Sequence, residues 1–270
     1  MMQRQRNVTL YIGAFLVGAL FLMMVVSLFW TSYDPNQMFP EKALQPPSWE
    51  HPFGTDNFGR DIFSRILDGS KTAFYIGFTS ITIALSIGFI IGAIAGYFGG
   101  WIDEVFMRIV DSILAIPGIL FAIMLVSVFS VGMQNTILAL GIMGIPTFAR
   151  IIRSGFMQVK EFDFVQSIKV KGAGSFRIIF IHILPNIASP MVVASTLFFS
   201  SAILAESGLS YLGLGVQPPD PSWGRMLNEA QPFMMNAPWY IFITGIFITL
   251  LVLGFNLLGD GLRELSDKKK

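Results

Sequence analysis

Residues 8–30 read VTLYIGAFLVGALFLMMVVSLFW, and this run decides the class of fold. Its only ionisable side chain is Tyr11, it follows two arginines, and it ends in Phe29 and Trp30. About 20 apolar residues in a helix cross the hydrocarbon core of a bilayer, whereas a cleaved signal peptide has a shorter apolar run. The run therefore predicts a retained transmembrane helix with an aromatic anchor at the membrane interface.

The composition extends this interpretation to the whole chain. Of the 270 residues, 53% are hydrophobic and only 13% are charged, and the mean hydropathy is +0.65. A soluble domain has about 25% charged residues, so an ordinary cytosolic enzyme is excluded. The chain has no cysteine and two histidines. This excludes disulfides, cysteine nucleophiles and thiolate metal sites, and it leaves few ligands for a resident metal.

Further apolar runs predict an all-α integral membrane protein with six spans. The additional runs are residues 72–98, 105–131, 136–148, 187–205 and 239–258. The fourth span is short and contains Pro146.

The polar stretch between the first two spans suggests a division of the chain. Residues 34–71 are rich in proline and predict a loop that ends in a short amphipathic helix at 61–67. We therefore expect a first unit, residues 1–71, with one span and an extracytoplasmic segment. Residues 72–270 form the expected core of five spans.

The second span carries a regular stripe of glycines. Gly88, Gly92, Gly96 and Gly100 recur at every fourth position, and on a helix they lie on one face. Such stripes let helix backbones approach closely in lipid. We predict a packing face here and no ligand site.

The basic residues predict the orientation of the chain. With the N-terminus inside, six spans place the C-terminus inside too, and five of the 18 basic residues lie outside, namely Lys42, Arg60, Arg65, Lys71 and Arg225. The thirteen inner ones are Arg4, Arg6, Arg108, Arg150, Arg153, Lys160, Lys169, Lys171, Arg177, Arg263, Lys268, Lys269 and Lys270. Because cytoplasmic loops carry the excess of Lys and Arg, both termini are predicted to be cytoplasmic.

The longest inner segment, residues 150–185, holds six of those thirteen basic residues. Phe164 and Ile168 share one side of a helix, and Gly172 can end that helix because it tolerates a left-handed backbone. A second apolar stretch leads to Pro185, which can start or kink a span. The pattern predicts a helix, a glycine turn and a second helix, a design suited to docking a partner. The alternative is that the lysines only satisfy the inside excess of positive charge.

This segment resembles the EAA loop of ABC-importer permeases, whose pattern is E-A-A-x3-G-x9-I-x-L-P. Gly172 lies 13 residues before Pro185, and Leu184 also matches. The chain departs from the pattern at residues 166–168, where Q-S-I replaces E-A-A, and at His182, which replaces the first isoleucine. The resemblance implies an ATPase-coupling loop made of Phe164, Val165, Gln166, Ser167, Ile168, Lys169, Val170, Lys171, Gly172, Ala173 and Gly174.

Three other segments resemble the dipeptide/oligopeptide/nickel branch of these permeases. Residues 51–65, HPFGTDNFGRDIFSR, are similar to a stretch that follows the first helix of the second, "C-type" subunit. Residues 209–219, LSYLGLGVQPP, with PSWG at 221–224, resemble the loop before the last helix. Residues 256–263, NLLGDGLR, resemble the C-terminal signature. Together these segments cover nearly the whole chain, in order.

The resemblance implies a multi-pass permease subunit of a type I ABC importer in the cell (plasma or inner) membrane. Such a subunit pairs with a homologous permease as a heterodimer. Two cytoplasmic ATP-binding subunits would hold ATP and Mg²⁺, so this chain needs no cofactor or metal of its own. An extracytoplasmic binding protein would deliver di- or oligopeptides, nickel or a metal chelate. We expect it to dock near residues 56–65 and 208–237.

The residues themselves leave the energy source open. A P-loop needs glycine directly before its lysine, and the nearest fragment, at 69–72, reads GSKT. A gradient-driven transporter or channel is the main alternative, because acidic groups within spans bind ions or relay protons. We expect Asp111 to pair with Arg108 one turn earlier. Glu206 is expected at the outer end of a span, either solvated or facing the substrate at a gate.

A membrane enzyme is the third class considered. His51 and His182 fall on opposite sides of the membrane in this topology, and no Gly-x-Ser-x-Gly occurs. The sequence therefore predicts no catalytic site.

Weakly polar residues within the spans are the candidates for a translocation path. Serine and threonine also pack commonly between membrane helices, and that alternative stays open for each of them. The candidates are Ser127, Ser130, Ser195, Thr196, Ser200, Ser201 and Glu206.

Overall fold

The computed structural model describes the backbone of residues 2–267 and the side chains of residues 8–266. The side chains of Arg4, Arg6 and residues 268–270, used in the charge count, lie outside the described residues. The helices are α1 (Met2–Ser27), α2 (Ile62–Phe98), α3 (Gly100–Leu114), α4 (Gly118–Phe129), α5 (Met133–Val159), α6 (Asp163–Val170), α7 (Ser175–Arg177), α8 (Leu184–Tyr211), α9 (Trp223–Ala230) and α10 (Pro238–Asp267). A π-helical segment, Ile178–Ile183, joins α7 to α8 without a break. Two short 3₁₀ turns, Pro40–Lys42 and Gln231–Phe233, lie in the connections.

Helix α2 is longer than the sequence predicted. It has 37 residues, which makes it about 55 Å long and longer than the roughly 30 Å hydrocarbon core. Asp61 caps it by accepting a hydrogen bond from the Ser64 amide at 2.7 Å. Residues 61–67 are thus the cap and first turns of α2, and the expectation of a separate short helix was wrong. The boundary between residues 71 and 72 falls inside this helix.

The third predicted span, residues 105–131, is two helices and not one. Helices α3 and α4 meet at an angle of 87°. The break precedes Pro117, and proline disfavours a helical backbone in the residue before it. Within the described residues, five helical stretches are long and apolar enough to cross a membrane, and the bent pair makes a sixth.

The glycine stripe of α2 packs against α5. A Cβ atom added to Gly88 would lie 2.7 Å from the Phe148 Cβ, and one on Gly92 would lie 2.5 Å from the Ala149 carbonyl oxygen. Gly96 is equally close to Phe156. The predicted packing face is confirmed at these three positions. The prediction was wrong for the fourth, Gly100, which begins α3 at a φ of +59° with open space around it.

The same contacts show that α2 and α5 run parallel. The Ser80 hydroxyl donates to the Ile137 carbonyl at 3.3 Å near one end, while Gly96 meets Phe156 near the other. Since α2 ends where α5 also ends, the bent pair between them must return the chain across the bilayer. This supports counting α3 and α4 as one crossing. Helix α5 is also longer than the predicted 136–148 and keeps Pro146 inside it.

The fifth span begins before the predicted residue 187. Helical backbone runs from Ser175 to Tyr211, with the π-helical turns just before Pro185. Proline lacks an N–H and crowds the preceding turn, and wider π turns are a known way to absorb such a disturbance. The span is therefore continuous with the glycine turn that precedes it.

Helix α9 and the connection between α1 and α2, residues 28–61, cover one end of the bundle. The buried Trp223 of α9 donates from its indole nitrogen to the Ile66 carbonyl at 3.1 Å. Helix α6 lies at the opposite end, because α5 leads into it. The two ends of the molecule are thus built from different segments of the chain.

Candidate coupling segment and translocation surfaces

The candidate coupling segment, residues 163–174, contains the predicted residues 164–174 and consists of α6 and the turn that follows it. Val165 is buried, and Ile168 and Ala173 pack against the same core. The Gln166 side chain donates to the Lys160 carbonyl at 2.9 Å. Most of the remaining side chains of the segment are exposed, and Val170 is 87% exposed. The segment is thus anchored along one side and free along the other.

The turn has the hydrogen bonds of a Schellman motif. The Gly172 amide donates to the Lys169 carbonyl at 3.0 Å, and the Ala173 amide donates to the Ile168 carbonyl at 3.3 Å. Gly172 has a φ of +82°, the left-handed conformation that this motif requires at the residue after the cap. The predicted helix, glycine turn and second helix are confirmed in this geometry.

Ion pairs fix the end of α5 that leads into the coupling segment. Arg153 forms a two-pronged pair with Asp103 of α3, with its Nη2 donating at 2.5 Å. Arg150 donates to Asp111 at 2.5 Å, and the Lys160 ammonium donates to the Gly96 carbonyl at 2.9 Å. Helix α5 is therefore tied to both α2 and α3 immediately before α6.

These contacts overturn one expectation about Asp111. It pairs with Arg150 on another helix and not with Arg108. Arg108 is instead bonded to Glu104, four residues earlier, at 2.8 Å. The pair of Asp111 with Arg108 was predicted because the spacing of residues within one helix follows from the sequence. The contact between α3 and α5, which brings Arg150 to Asp111, does not.

The structure places the path candidates on two separate helices. Ser127 and Ser130 are exposed, on α4 and at its end. Ser195 and Thr196 lie on α8, and Ser201 is exposed there. The Ser195 and Thr196 hydroxyls donate to backbone carbonyls of the same helix at 2.8 Å. Their role in a path stays a prediction.

Ser200 fits the packing alternative. Its side chain is buried, and its hydroxyl donates to the Asn256 side-chain oxygen on α10 at 2.7 Å. A buried hydroxyl needs a partner, and this one joins α8 to α10.

Glu206 is not solvated, contrary to one of the two expectations for it. The carboxylate is buried and accepts hydrogen bonds from Ser210 at 2.7 Å and from Ser207 at 3.4 Å. The Ser210 hydroxyl also accepts from the Val216 amide at 3.0 Å. Glu206 thus orders the loop after α8, a role that the sequence did not signal.

A buried ionic cluster that the sequence did not predict joins the α1–α2 connection to α9. Arg60 donates to Asp56 at 2.6 Å and to Glu229 at 2.7 Å. Arg65, only 1% exposed, lies 3.5 Å from Glu229. Tyr240 of α10 donates its hydroxyl to the same carboxylate at 3.4 Å. One glutamate therefore holds together residues from three parts of the chain.

This cluster changes the expected docking surface at residues 56–65. Asp56, Arg60, Asp61 and Arg65 are all buried in the chain, so they cannot supply that contact. The exposed side chains nearby include Phe58 within the range and Trp49 before it, and Trp49 is fully exposed.

An exposed ion pair lies close to Trp49. The Lys42 ammonium is bonded to the Glu50 carboxylate. This hydrogen bond raises the pKa of Lys42 and lowers the pKa of Glu50. His51, the next residue, is buried, and its Nδ1 lies 2.9 Å from the Asp61 carboxylate. Among the described side chains, no group of three or more His, Cys, Asp or Glu residues is placed to hold a metal ion.

Comparison with known proteins decides the family. Residues 88–270 match the model of the family described as "Binding-protein-dependent transport system inner membrane component". The chain belongs to this family. The permease is 42% identical to the dipeptide transport system permease protein DppC of Alkalihalophilus pseudofirmus over 267 residues, which cover 99% of this chain and 88% of that protein. It is 43% identical to the glutathione transport system permease protein GsiD of Escherichia coli O6:K15:H31, over 94% of this chain and 86% of that protein.

A solved structure shows the fold. The permease matches a chain of the MetNI methionine ABC transporter in an inward-facing conformation with a TM-score of 0.56. The match covers 73% of this chain and 93% of that chain, at 18% identity. The expected type I ABC importer permease fold is confirmed, and the permease is a multi-pass inner-membrane protein. Membership of this family supports the ABC importer function over the gradient-driven carrier and the membrane enzyme.

Proposed function

We propose that this chain is the second, C-type permease subunit of an ATP-driven importer for di- and oligopeptides. The observation that carries the proposal is the similarity of about 40% identity, over nearly the full length, to permeases named for dipeptides and glutathione. Glutathione is itself a small peptide, so both names share one chemical class. The relatives reported above therefore favour peptides over nickel or a metal chelate.

The coupling segment is the proposed contact with the ATPase subunits. It presents exposed Phe164 and Val170 beside the charged Lys169 and Lys171, a mixture typical of protein interfaces with an apolar centre and a polar rim. The proposed partners are two cytoplasmic ATPases, which hold ATP and Mg²⁺ and perform the hydrolysis. This chain has no catalytic role.

The ion pairs at the end of α5 support a lever mechanism. When the ATPases close, a displacement of α6 would reach α5 directly and then α3 through Arg153 and Asp103. The close packing of the α2 glycines on α5 would transmit the same displacement to α2. Alternating access of a cavity between this permease and its homologous partner follows from that rigid-body motion.

The proposed orientation places both termini and the coupling segment in the cytoplasm. The excess of basic residues in the inner segments supports it. The α1–α2 connection and α9 would then lie outside, where a binding protein docks on their exposed residues, including Trp49, and on parts of residues 208–237.

Uptake by a strain that lacks this chain tests the proposal. We expect such a strain to lose uptake of labelled dipeptides, tripeptides or glutathione, and to regain it when the gene is restored. Nickel uptake serves as the comparison in the same strain. Loss of nickel uptake with unchanged peptide uptake would overturn the peptide assignment. Peptide uptake that persists after depletion of ATP but stops when the proton gradient is removed would overturn the ATP-driven mechanism.

A further inference from the structure

An apolar cleft of about 610 Å³ opens between α1 and α2 at the end of the molecule that carries the α1–α2 connection. Phe21 and Met24 of α1 form one side, and Tyr75 and Phe78 of α2 form the other. The volume is within the range of about 300–1,000 Å³ typical of small-ligand sites. Phe21, Tyr75 and Phe78 are each more than 40% exposed, so the chain itself does not cover the apolar walls.

Charged groups stand at one end of this cleft. Asp68 and Lys71 form an ion pair on α2, and Asp220 lies beside them. The Thr72 hydroxyl donates to the Pro221 carbonyl at 2.9 Å, which fixes the loop carrying Asp220 against α2. This charged end of the cleft, called the rim below, thus holds two carboxylates and one ammonium group, with a net charge of −1.

The cleft is polarised along the helix axis. Phe78 lies seven residues beyond Lys71 in α2, a distance of about 10 Å along the helix. The charges thus lie nearer the α1–α2 connection, and the aromatic walls extend away from them along α2. A bound molecule must have a charged head and an apolar body in this order.

We infer that this cleft is a binding site for one zwitterionic phospholipid, whose headgroup carries a phosphate and an ammonium group. Its acyl chain packs against Phe21, Met24 and Phe78. Lys71 contacts the phosphate, and Asp220 and Asp68 contact the ammonium group. This inference goes beyond the proposed transport function and does not depend on it.

The charge of the rim decides the lipid class. An anionic lipid would meet one ammonium group but two carboxylates, and like charges repel. A headgroup with both signs satisfies all three side chains. The site therefore differs from the basic pockets that bind anionic lipids.

Native mass spectrometry of the transporter, purified from membranes in the assembly in which it occurs, tests the inference. In nanodiscs with equal phosphatidylethanolamine and phosphatidylglycerol, we expect one retained phosphatidylethanolamine for each copy of this chain. Met24→Trp fills the cleft and should reduce the retained lipid by at least about fivefold, because overpacking a filled site is unfavourable. Ile246→Trp, on an exposed position of α10, is the matched control and should keep the lipid.

A second variant keeps the test valid if Met24→Trp does not fold. Asp220→Asn should reduce the preference for phosphatidylethanolamine about two- to fivefold, as expected for a partly exposed charge pair, whereas Glu41→Gln should leave it unchanged. Equal retention of both lipids by the wild-type chain would overturn the inference. A second outcome would also overturn it. If the Tyr75→Cys variant cross-links to the second permease and retains no lipid, a protein helix occupies the cleft.

Discussion

Gly172 is the residue on which the shape of the coupling segment depends most. Its φ of +82° is a conformation that residues with a β-carbon adopt at a cost of roughly 1–2 kcal/mol. A Cβ atom added there would meet nothing within 4 Å, so the effect of a substitution is confined to the backbone. Steric clash with the rest of the chain does not contribute.

Gly172→Val is expected to leave the chain inserted in the membrane but to reduce uptake while the ATPases continue to hydrolyse ATP. The strained turn would shift the angle between α6 and the following helix. Uptake and ATP hydrolysis measured in proteoliposomes give the ratio of the two rates. Gly174→Val is the matched control, because Gly174 also has free space but an ordinary φ of −68°. Normal coupling in Gly172→Val would count against the lever.

Glu229 is the residue that holds the buried ionic cluster together. Glu229→Gln would leave Arg60 and Arg65 with Asp56 as their remaining carboxylate, and removing one partner of a buried pair destabilises by about 3–5 kcal/mol. We expect a lower thermal unfolding temperature in mild detergent. Glu104→Gln, in an exposed pair with Arg108, should change it little. An unchanged unfolding temperature for Glu229→Gln would show that the cluster does not stabilise the fold.

At the scale of elements, the packing of α2 on α5 is the largest helix contact for which the sequence predicted a packing face. The four-residue glycine period predicted that one face of α2 approaches another backbone. It did not predict which helix that would be. The parallel pairing with α5 is shown only by contacts of the folded chain, such as Ser80 with Ile137 at one end and Gly96 with Phe156 at the other.

Gly92→Ile tests this helix contact. An added Cβ at Gly92 would lie 2.5 Å from a backbone oxygen of Ala149, which cannot rotate away as a side chain can. We expect a smaller yield of monodisperse protein by fluorescence-detected size exclusion and a lower unfolding temperature. Gly18→Ile, on α1 with nothing within 4 Å, should behave like the wild-type chain. Equal losses for both variants would indicate a general insertion defect and not lost packing.

The length of the helices was less predictable than their existence. Hydropathy located the apolar regions of the helices, but α2 starts ten residues earlier and α5 ends eleven residues later than the apolar runs suggested. The additional turns contain charged residues, among them Arg65 and Arg153. Their charges are neutralised by Glu229 and Asp103, which come from distant parts of the chain. A window of sequence cannot include those partners.

For the whole molecule, labelling from each side of the membrane tests the orientation. The chain has no cysteine, so single substitutions give no background. Trp49→Cys and Gly174→Cys lie on exposed positions at the two ends of the bundle. With an impermeant maleimide on intact spheroplasts, we expect Trp49→Cys to react and Gly174→Cys to react only after lysis. Labelling of both from the same side would contradict six spans.

The sequence by itself determined that this protein spans the membrane several times and that a turn at Gly172 separates two helices on one side of it. These properties depend on local composition and on single residues such as Gly172, since insertion and turn formation use only neighbouring groups. Only the tertiary structure decided the bend between α3 and α4, the burial of Glu206 and the cluster around Glu229. Each of these depends on charges or backbones brought together from distant positions, and their energies exist only once the helices have packed.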